Sequence, residues 1–160
     1  DITREACDVI VNAANPSLLG GGGVDGAIHR AAGPRLLTAC RELRATSLPA
    51  GLAVGDAVAT EGFDLPARWV VHTVGPNWHR GQRDPALLAS CFRRSLEVAD
   101  ELGASSVAFP AVSAGVYGWN SAEVARIAVE TVRATPTQVS DIRFVLYSPS
   151  VLSAFERALA

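Results

Sequence analysis

The hydrophobic residues of this chain follow two patterns, one in short segments and one in longer segments. Short apolar runs rich in Val, bounded by Gly, Pro or polar residues, are typical of buried strands. Longer segments place apolar residues three and four positions apart, as one face of a helix requires. The first pattern predicts strands at residues 9–13, 57–61, 69–74, 106–109 and 142–147.

The second pattern predicts helices between and after these strands, with Gly and Pro at their boundaries. They cover residues 24–32, a segment that starts at Gly33-Pro34 and ends near Leu43, and residues 85–102, 122–134 and 149–159. Gly103 suits the end of the third helix, Ser121 the N-cap of the fourth, and Pro149 the first position of the fifth. The most polar stretch, residues 77–84, is predicted to be an exposed loop.

This alternation of strands and helices predicts an α/β fold, with a mostly parallel sheet and helices on both faces. Such sheets bind ligands at the carboxyl ends of their strands. Two loops that contain Gly follow strands directly, so we expect them to meet at one edge of the sheet. A chain of 160 residues, 49% of them hydrophobic, is the size of one domain with a sufficient core.

Composition and charge remove several classes of function. The formal net charge is −2, and all 14 basic residues are Arg. The absence of Lys excludes a P-loop and a Schiff-base mechanism. The weak negative charge argues against a general polyanion binder. The cysteines, Cys7, Cys40 and Cys91, form no CxxC pair, which indicates buried thiols rather than a zinc or redox motif.

The chain shows neither a signal peptide nor an apolar run near the ~20 residues that span a membrane. We therefore expect a cytoplasmic protein without membrane contact. The sequence begins at Asp1 and contains no Met, so we expect that some upstream sequence is missing.

A glycine-rich loop follows the first predicted strand. This segment, here called the glycine loop (residues 15–23), ends in four consecutive glycines that lead into a helix. Glycines allow close approach of backbone N–H groups to a ligand, and the helix N-terminus adds partial positive charge. The pattern favours an anion site, typically for phosphate; the alternative is a flexible loop without a ligand.

The glycines Gly21, Gly23 and Gly26 also match the spacing of a dinucleotide-binding fingerprint, but we reject this interpretation. Residues 15–20 separate these glycines from the strand, and no acidic residue ends a second strand about twenty positions later, as the fingerprint requires.

A second loop, here called the serine loop (residues 113–118), follows the strand that ends before Pro110. Its small residues leave the backbone free to donate hydrogen bonds, and Tyr117 is placed to lie over a sugar or base. It does not match the nucleophile elbow, because Ala111 replaces the first Gly. Taken alone, this loop is typical of a turn that binds no ligand. If it lies beside the glycine loop, the two loops would bind phosphate from opposite sides.

Four polar side chains accompany these loops. The amides of Asn12 and Asn15 match the hydroxyls of a sugar, although they can instead satisfy the turn backbone. Asp25 favours the helix dipole and is also positioned to accept a proton from water or a sugar hydroxyl. His29 shares the helix face of Asp25, and its role stays open, because a lone His on a helix is more often structural.

These segments resemble one family. The resemblance to the MacroD-type macrodomains is carried by Asp1-Ile2-Thr3 and by residues 11–15, 18–34 and 72–76, and it extends through the serine loop to the last strand. It implies a three-layer α/β/α fold with a mixed, mostly parallel sheet over residues 1–160, and binding of ADP-ribose. Family members carry a strand before the Asp-Ile-Thr segment, so we expect either a trimmed chain or a missing edge strand.

The resemblance also implies roles for individual residues. Asp25 would be the catalytic carboxylate and Asn15 would position the distal ribose, which Asn12 would also approach. Asp1 and Ile2 would bind adenine, and Tyr147 would pack against it. The positions implied for the diphosphate are Gly22, Gly23, Val24, Ser113, Ala114, Gly115, Val116 and Tyr117. The family usually has Phe where this chain has Tyr117.

The MacroD branch hydrolyses ADP-ribosyl esters on Asp and Glu side chains and deacetylates O-acetyl-ADP-ribose. Because Asp25 is present, the resemblance implies a metal-independent hydrolase that needs no cofactor. The absence of Lys, together with abundant Ala and Arg, suggests a GC-rich bacterial genome. We expect a monomer with O-acetyl-ADP-ribose and mono-ADP-ribosylated proteins as partners. Two alternatives remain. One is a non-catalytic ADP-ribose reader, and the other is a module that binds nucleic acid or poly(ADP-ribose). The net negative charge of the chain and its lack of Lys argue against the second.

Overall fold

The structure, a computed structural model, describes residues 1–160 and contains five strands and five α-helices. The strands are β1 Val9–Ala14, β2 Ala57–Glu61, β3 Trp69–Val74, β4 Ser106–Phe109 and β5 Asp141–Phe144. The helices are α1 Gly23–Ala32, α2 Pro34–Ala45, α3 Pro85–Glu101, α4 Ser121–Ala134 and α5 Pro149–Leu159. Two short 3-10 helices lie at Ile2–Arg4 and Trp78–Arg80.

The strands form one sheet in the order β2-β3-β1-β4-β5. Neighbouring strands run parallel except β2, which lies antiparallel to β3 at one edge. The central position of β1 brings its carboxyl end next to those of β3 and β4. The prediction of a mixed, mostly parallel sheet is confirmed.

Side chains of successive strand residues point to opposite faces of the sheet, and this alternation divides the core into two parts. On β1, Val9 and Val11 join the larger cluster of buried residues, which includes side chains of α3, α4 and α5. Ile10 and Ala14 join the smaller cluster, which includes side chains of α1 and α2. The helices therefore cover both faces, and the α/β/α architecture is confirmed.

Three local predictions need correction or refinement. The last strand ends at Phe144 rather than Tyr147, because the N–H of Val145 makes the final bond to β4 and the chain then bends towards α5. The N-cap of α4 is Asn120, not Ser121, since the Asn120 side chain accepts hydrogen bonds from Ala122 and Glu123. The predicted loop at residues 77–84 contains a 3-10 helical turn.

The three cysteines are free and buried. Burial raises the pKa of Cys40 and of Cys91 to about 11, and it also raises the pKa of Cys7. We expect Ellman's reagent at pH 8 to modify none of them in the native protein, because each thiol is protonated and covered. All three should react after unfolding in guanidinium. Rapid reaction of one thiol in the native protein would show that its segment opens.

No helix is both long and apolar enough to cross a membrane. No cluster of three or more His, Cys, Asp and Glu side chains is arranged to hold a metal ion.

Candidate functional site

The site lies where the chain changes direction across the sheet. After β1 the chain forms α1 and α2 on one face and then reaches β2 and β3 on one side of β1. It returns through α3 on the other face to β4, on the other side of β1. In open α/β sheets, the carboxyl ends of strands at such a reversal border the ligand crevice. The glycine loop follows β1 and the serine loop follows β4 at this edge.

The glycine loop presents unpaired backbone donors. The N–H groups of residues 22–25 donate no hydrogen bond within the protein. The N-cap of α1 is Gly22, which has no side chain to cap the helix, whereas α3, α4 and α5 each begin at a side chain that accepts backbone hydrogen bonds. The positive end of the α1 dipole is therefore uncapped at this edge of the sheet, which suits an anion site.

The serine loop presents a second set of donors. The N–H groups of Gly115, Val116 and Tyr117 have no acceptor within the protein. Ser113 is held in the left-handed region, at φ 69°, and its hydroxyl donates to the carbonyl of Pro76 at 2.8 Å. A non-glycine residue in this conformation costs of order 1–3 kcal/mol and persists only where its surroundings enforce it.

The glycine loop and the serine loop belong together because β1 and β4 are hydrogen-bonded neighbours. Adjacent strands lie about 4.8 Å apart, so loops that leave their carboxyl ends begin side by side. Two sets of free N–H groups at one edge are suited to an elongated anion such as a diphosphate. Both loops therefore leave the same edge of the sheet, and a direct contact between them stays a prediction.

Asp25 lies in the first turn of α1, beside the glycine loop. It is 5% exposed. Its Oδ1 accepts a hydrogen bond from Asn12 Nδ2 at 2.8 Å, while Oδ2 accepts none and faces Gly21. A carboxylate with one oxygen anchored and one oxygen free is suited to accept a proton from a reacting group.

The Asn15 side chain holds the glycine loop together through hydrogen bonds. Its Oδ1 accepts hydrogen bonds from the N–H and hydroxyl of Ser17, and its Nδ2 donates to the Gly20 carbonyl at 3.0 Å. These bonds are the turn-satisfying alternative described above. Nδ2 keeps a second proton and lies on the Gly21 side shared with Asp25. Its proposed contact with a ribose therefore remains a prediction.

Asn12 is completely buried in β1 rather than open to the crevice. Besides its bond to Asp25, its Nδ2 lies 3.1 Å from Nδ1 of His72 on β3. The other ring nitrogen of His72, Nε2, lies 3.0 Å from the Thr60 hydroxyl on β2. Three neighbouring strands thus supply a buried polar row, here called the strand row (Asn12, His72 and Thr60), that ends at Asp25.

His29 lies one helical turn after Asp25 and is mostly buried. Its Nε2 is 3.5 Å from Asp25 Oδ1 and has no hydrogen-bond partner. The structure therefore places His29 beside the carboxylate, at a distance longer than an ordinary N–H···O bond.

The residues predicted for the adenine end lie at the N-terminal 3-10 helix and in the bend after β5. Asp1 caps the first 3-10 helix and accepts from Thr3, and Ile2 is buried against the smaller core cluster. Tyr147 is fully exposed in the bend between β5 and α5, and Val116 of the serine loop is also exposed. Their roles towards a ligand stay predictions.

Sequence reasoning missed the residues that support the serine loop. The N–H of Trp78 donates to the Tyr117 carbonyl at 2.8 Å, and its ring packs edge-on against buried Trp119, with centroids 5.2 Å apart. The His79 ring lies directly against Gly118, where a side chain would collide with it. Trp at position 78, within a stretch otherwise polar, was the available signal, because such a large side chain rarely stands free in a loop.

Comparisons with known proteins give a consistent result. A sequence profile of the Macro domain family matches residues 11–128. A macro domain-containing protein of Streptomyces coelicolor is 60% identical, over 99% of this chain and 94% of its own length. The O-acetyl-ADP-ribose deacetylase of Cronobacter sakazakii is 52% identical, over 99% and 89% respectively. The Oceanobacillus iheyensis macrodomain, solved with ADP, is 47% identical, with a TM-score of 0.95 over 99% of this chain and 86% of that one.

Proposed function

This chain belongs to the Macro domain family, and from that premise we propose that it binds ADP-ribose and hydrolyses ADP-ribosyl esters. The substrates would be O-acetyl-ADP-ribose and proteins that carry ADP-ribose on Asp or Glu side chains. The observation that carries the proposal is Asp25, a carboxylate with one oxygen anchored by Asn12 and the other free, beside the N–H groups of the glycine loop.

The two loops support the binding half of the proposal. A diphosphate would accept hydrogen bonds from the N–H groups of residues 22–25 on one side and residues 115–117 on the other. These donors are fixed before the ligand arrives, because strained Ser113 and the braced Asn15 hold each loop. Preorganised donors increase affinity by reducing the entropy lost on binding.

The position of Asp25 supports the catalytic half. With the diphosphate fixed, the distal ribose and its ester would lie towards Asp25 and Asn15. The free oxygen of Asp25 would take a proton from water as the water oxygen attacks the ester carbonyl. The negative charge that forms on the carbonyl oxygen would be stabilised by nearby N–H groups.

The second half of the reaction returns the proton. The bond between the acyl carbon and the ribose oxygen breaks, and the ribose oxygen takes the proton from Asp25 to form a hydroxyl. The products are a carboxylic acid, either acetic acid or the freed Asp or Glu side chain, and ADP-ribose. Water and ester account for every atom of the products, and we propose that the reaction proceeds without a metal ion or cofactor.

Two relatives support the proposed substrate, each for a different part of the molecule. The Cronobacter sakazakii protein, an O-acetyl-ADP-ribose deacetylase, supports the small-molecule ester. The Oceanobacillus iheyensis macrodomain, whose structure was solved with ADP, supports recognition of an adenosine diphosphate moiety. Activity on ADP-ribosylated proteins rests on the resemblance and on Asp25 alone.

Turnover and affinity measured together test the proposal. The protein is incubated in EDTA with O-acetyl-ADP-ribose and with a glutamate-ADP-ribosylated protein, and released ADP-ribose is quantified. ADP-ribose affinity is measured by calorimetry at low and high salt. We expect release from both substrates and an affinity that changes little with salt. Tight binding without turnover would establish the reader function instead. Binding of poly(ADP-ribose) or of an oligonucleotide that falls steeply with salt would indicate recognition of a phosphate backbone.

A further inference from the structure

We propose that His72 is a positioning residue that orients the catalytic carboxylate of Asp25 through Asn12. The inference rests on the proposed function, since it gives Asp25 a reacting role. It concerns a buried side chain on β3 that contacts no ligand. Its basis is the strand row, whose donors and acceptors are fixed by the geometry.

The direction of each hydrogen bond follows from Asp25. A carboxylate only accepts hydrogen bonds, so Asn12 must face it with Nδ2, a donor. The second proton of Nδ2 then points to His72 Nδ1, which must be an acceptor. His72 therefore carries its proton on Nε2 and donates to the Thr60 hydroxyl. A single tautomer satisfies the row.

His72 remains neutral over the range in which the protein would work. Burial, helped by the nearby His29, lowers the pKa of His72 to about 3. A proton on Nδ1 would place two hydrogen-bond donors against each other, because Asn12 Nδ2 also carries protons. The neutral ring avoids this repulsion. Nδ1 therefore remains an acceptor at any pH where ester hydrolysis would be measured.

The Asn12 amide depends on this acceptor. Its Oδ1 is buried without a hydrogen-bond donor from the protein, so Nδ2 makes both of the side chain's hydrogen bonds. Without His72, the amide would be held by Asp25 alone. The amide would then be free to tilt, and its single hydrogen bond would hold the anchored oxygen of Asp25 less firmly in place. Misplaced reacting groups lose rate more than ground-state affinity.

Three variants separate positioning from general stability. His72→Leu removes the acceptor while it keeps an apolar side chain in the core. His72→Asn restores an acceptor, because Oδ1 of Asn is attached to Cγ as Nδ1 of His is. Thr73→Val is the control. This neighbour on β3 is equally buried, and its hydroxyl donates to the Asp56 carbonyl and makes no hydrogen bond to the strand row.

We expect His72→Leu to lower kcat by about 10- to 100-fold, with KM and the Kd of ADP-ribose changed by less than about 2-fold. His72→Asn should recover most of the rate. Thr73→Val should lower the melting temperature and leave kcat unchanged. The inference is wrong if His72→Leu retains the full kcat of the wild type, whether or not its KM rises.

NMR provides a readout that does not depend on turnover. In the wild type, the nitrogen shifts of His72 should report an unprotonated Nδ1 and a protonated Nε2. The side-chain amide protons of Asn12 should be protected from exchange, lose protection in His72→Leu and regain it in His72→Asn. The inference would be overturned by a protonated Nδ1, or by Asn12 amide protons whose protection from exchange is the same in the wild type and in His72→Leu. If the wild type turns over no ester, the proposed function fails, and these spectra still decide whether His72 orients Asn12.

Discussion

Replacement of Asp25 by Asn is expected to lower kcat for ester hydrolysis by about 10²- to 10⁴-fold, the usual contribution of a general base. Asn is nearly isosteric, and its Oδ1 can still accept the bond from Asn12, so the change removes basicity and charge while it keeps the anchor. ADP-ribose should bind equally well or more tightly, because a negative charge next to the diphosphate site disappears. Single-turnover kinetics and calorimetry on the same preparation measure both effects.

A matched control for Asp25→Asn is Asp64→Asn. Asp64 is exposed, pairs with Arg35 and lies at the C-terminal end of α1, whereas Asp25 lies in its first turn. This variant therefore makes the same charge change without an expected effect on kcat. If Asp25→Asn turned over substrate at the wild-type rate, Asp25 would not be the base. His29, 3.5 Å from its carboxylate, would then be the next residue to test.

The second large effect is expected for Gly26→Ala, which should weaken ADP-ribose binding by about 10- to 100-fold. Gly26 is buried inside α1, and a Cβ there would lie 2.5 Å from the Gly21 carbonyl oxygen. Ala stabilises a helix by about 1 kcal/mol relative to Gly. Overpacking costs about 1–3 kcal/mol. The glycine loop can relieve it only by moving its donors, and each 1.4 kcal/mol lost from binding is about tenfold in Kd.

Ala27→Gly is the control for this variant. It weakens α1 by about the same helix-propensity difference and adds no atom near the glycine loop. We expect Ala27→Gly to lower the melting temperature with no change in affinity, and Gly26→Ala to lower affinity with a small change in melting temperature. Equal Kd values for Gly26→Ala and the wild type would mean that the loop donors do not bind the ligand.

Much of the fold could be predicted because its elements are specified by local pattern. The apolar run on β3 and the spacing along α3 depend on residues close in sequence, and both elements were predicted within one residue. Errors arose where local signals compete. Asn120 and Ser121 are both good caps, and the apolar residues after Phe144 continue the strand pattern although the sheet ends there.

The site was predictable only where one segment contains it. The glycine loop and Asp25 lie within eleven consecutive positions, residues 15–25, so their partnership can be seen in the sequence. The strand row is different, because Asn12, His72 and Thr60 become neighbours only through the order and register of β1, β3 and β2. The same holds for the support of Tyr117 by Trp78, since nothing local indicates that the two segments meet.

The antiparallel direction of β2 has a practical consequence for attaching this protein to other materials. Because β2 runs against β3, the turn that joins them lies at the sheet edge opposite the glycine loop and the serine loop. Pro66 and Arg68 in that turn are exposed. A Cys or biotin-acceptor residue placed there would tether the domain to a bead or sensor chip with its crevice directed outwards. The fold thus supplies an orientation for immobilisation, with which it can serve as an affinity reagent or a surface-bound biosensor.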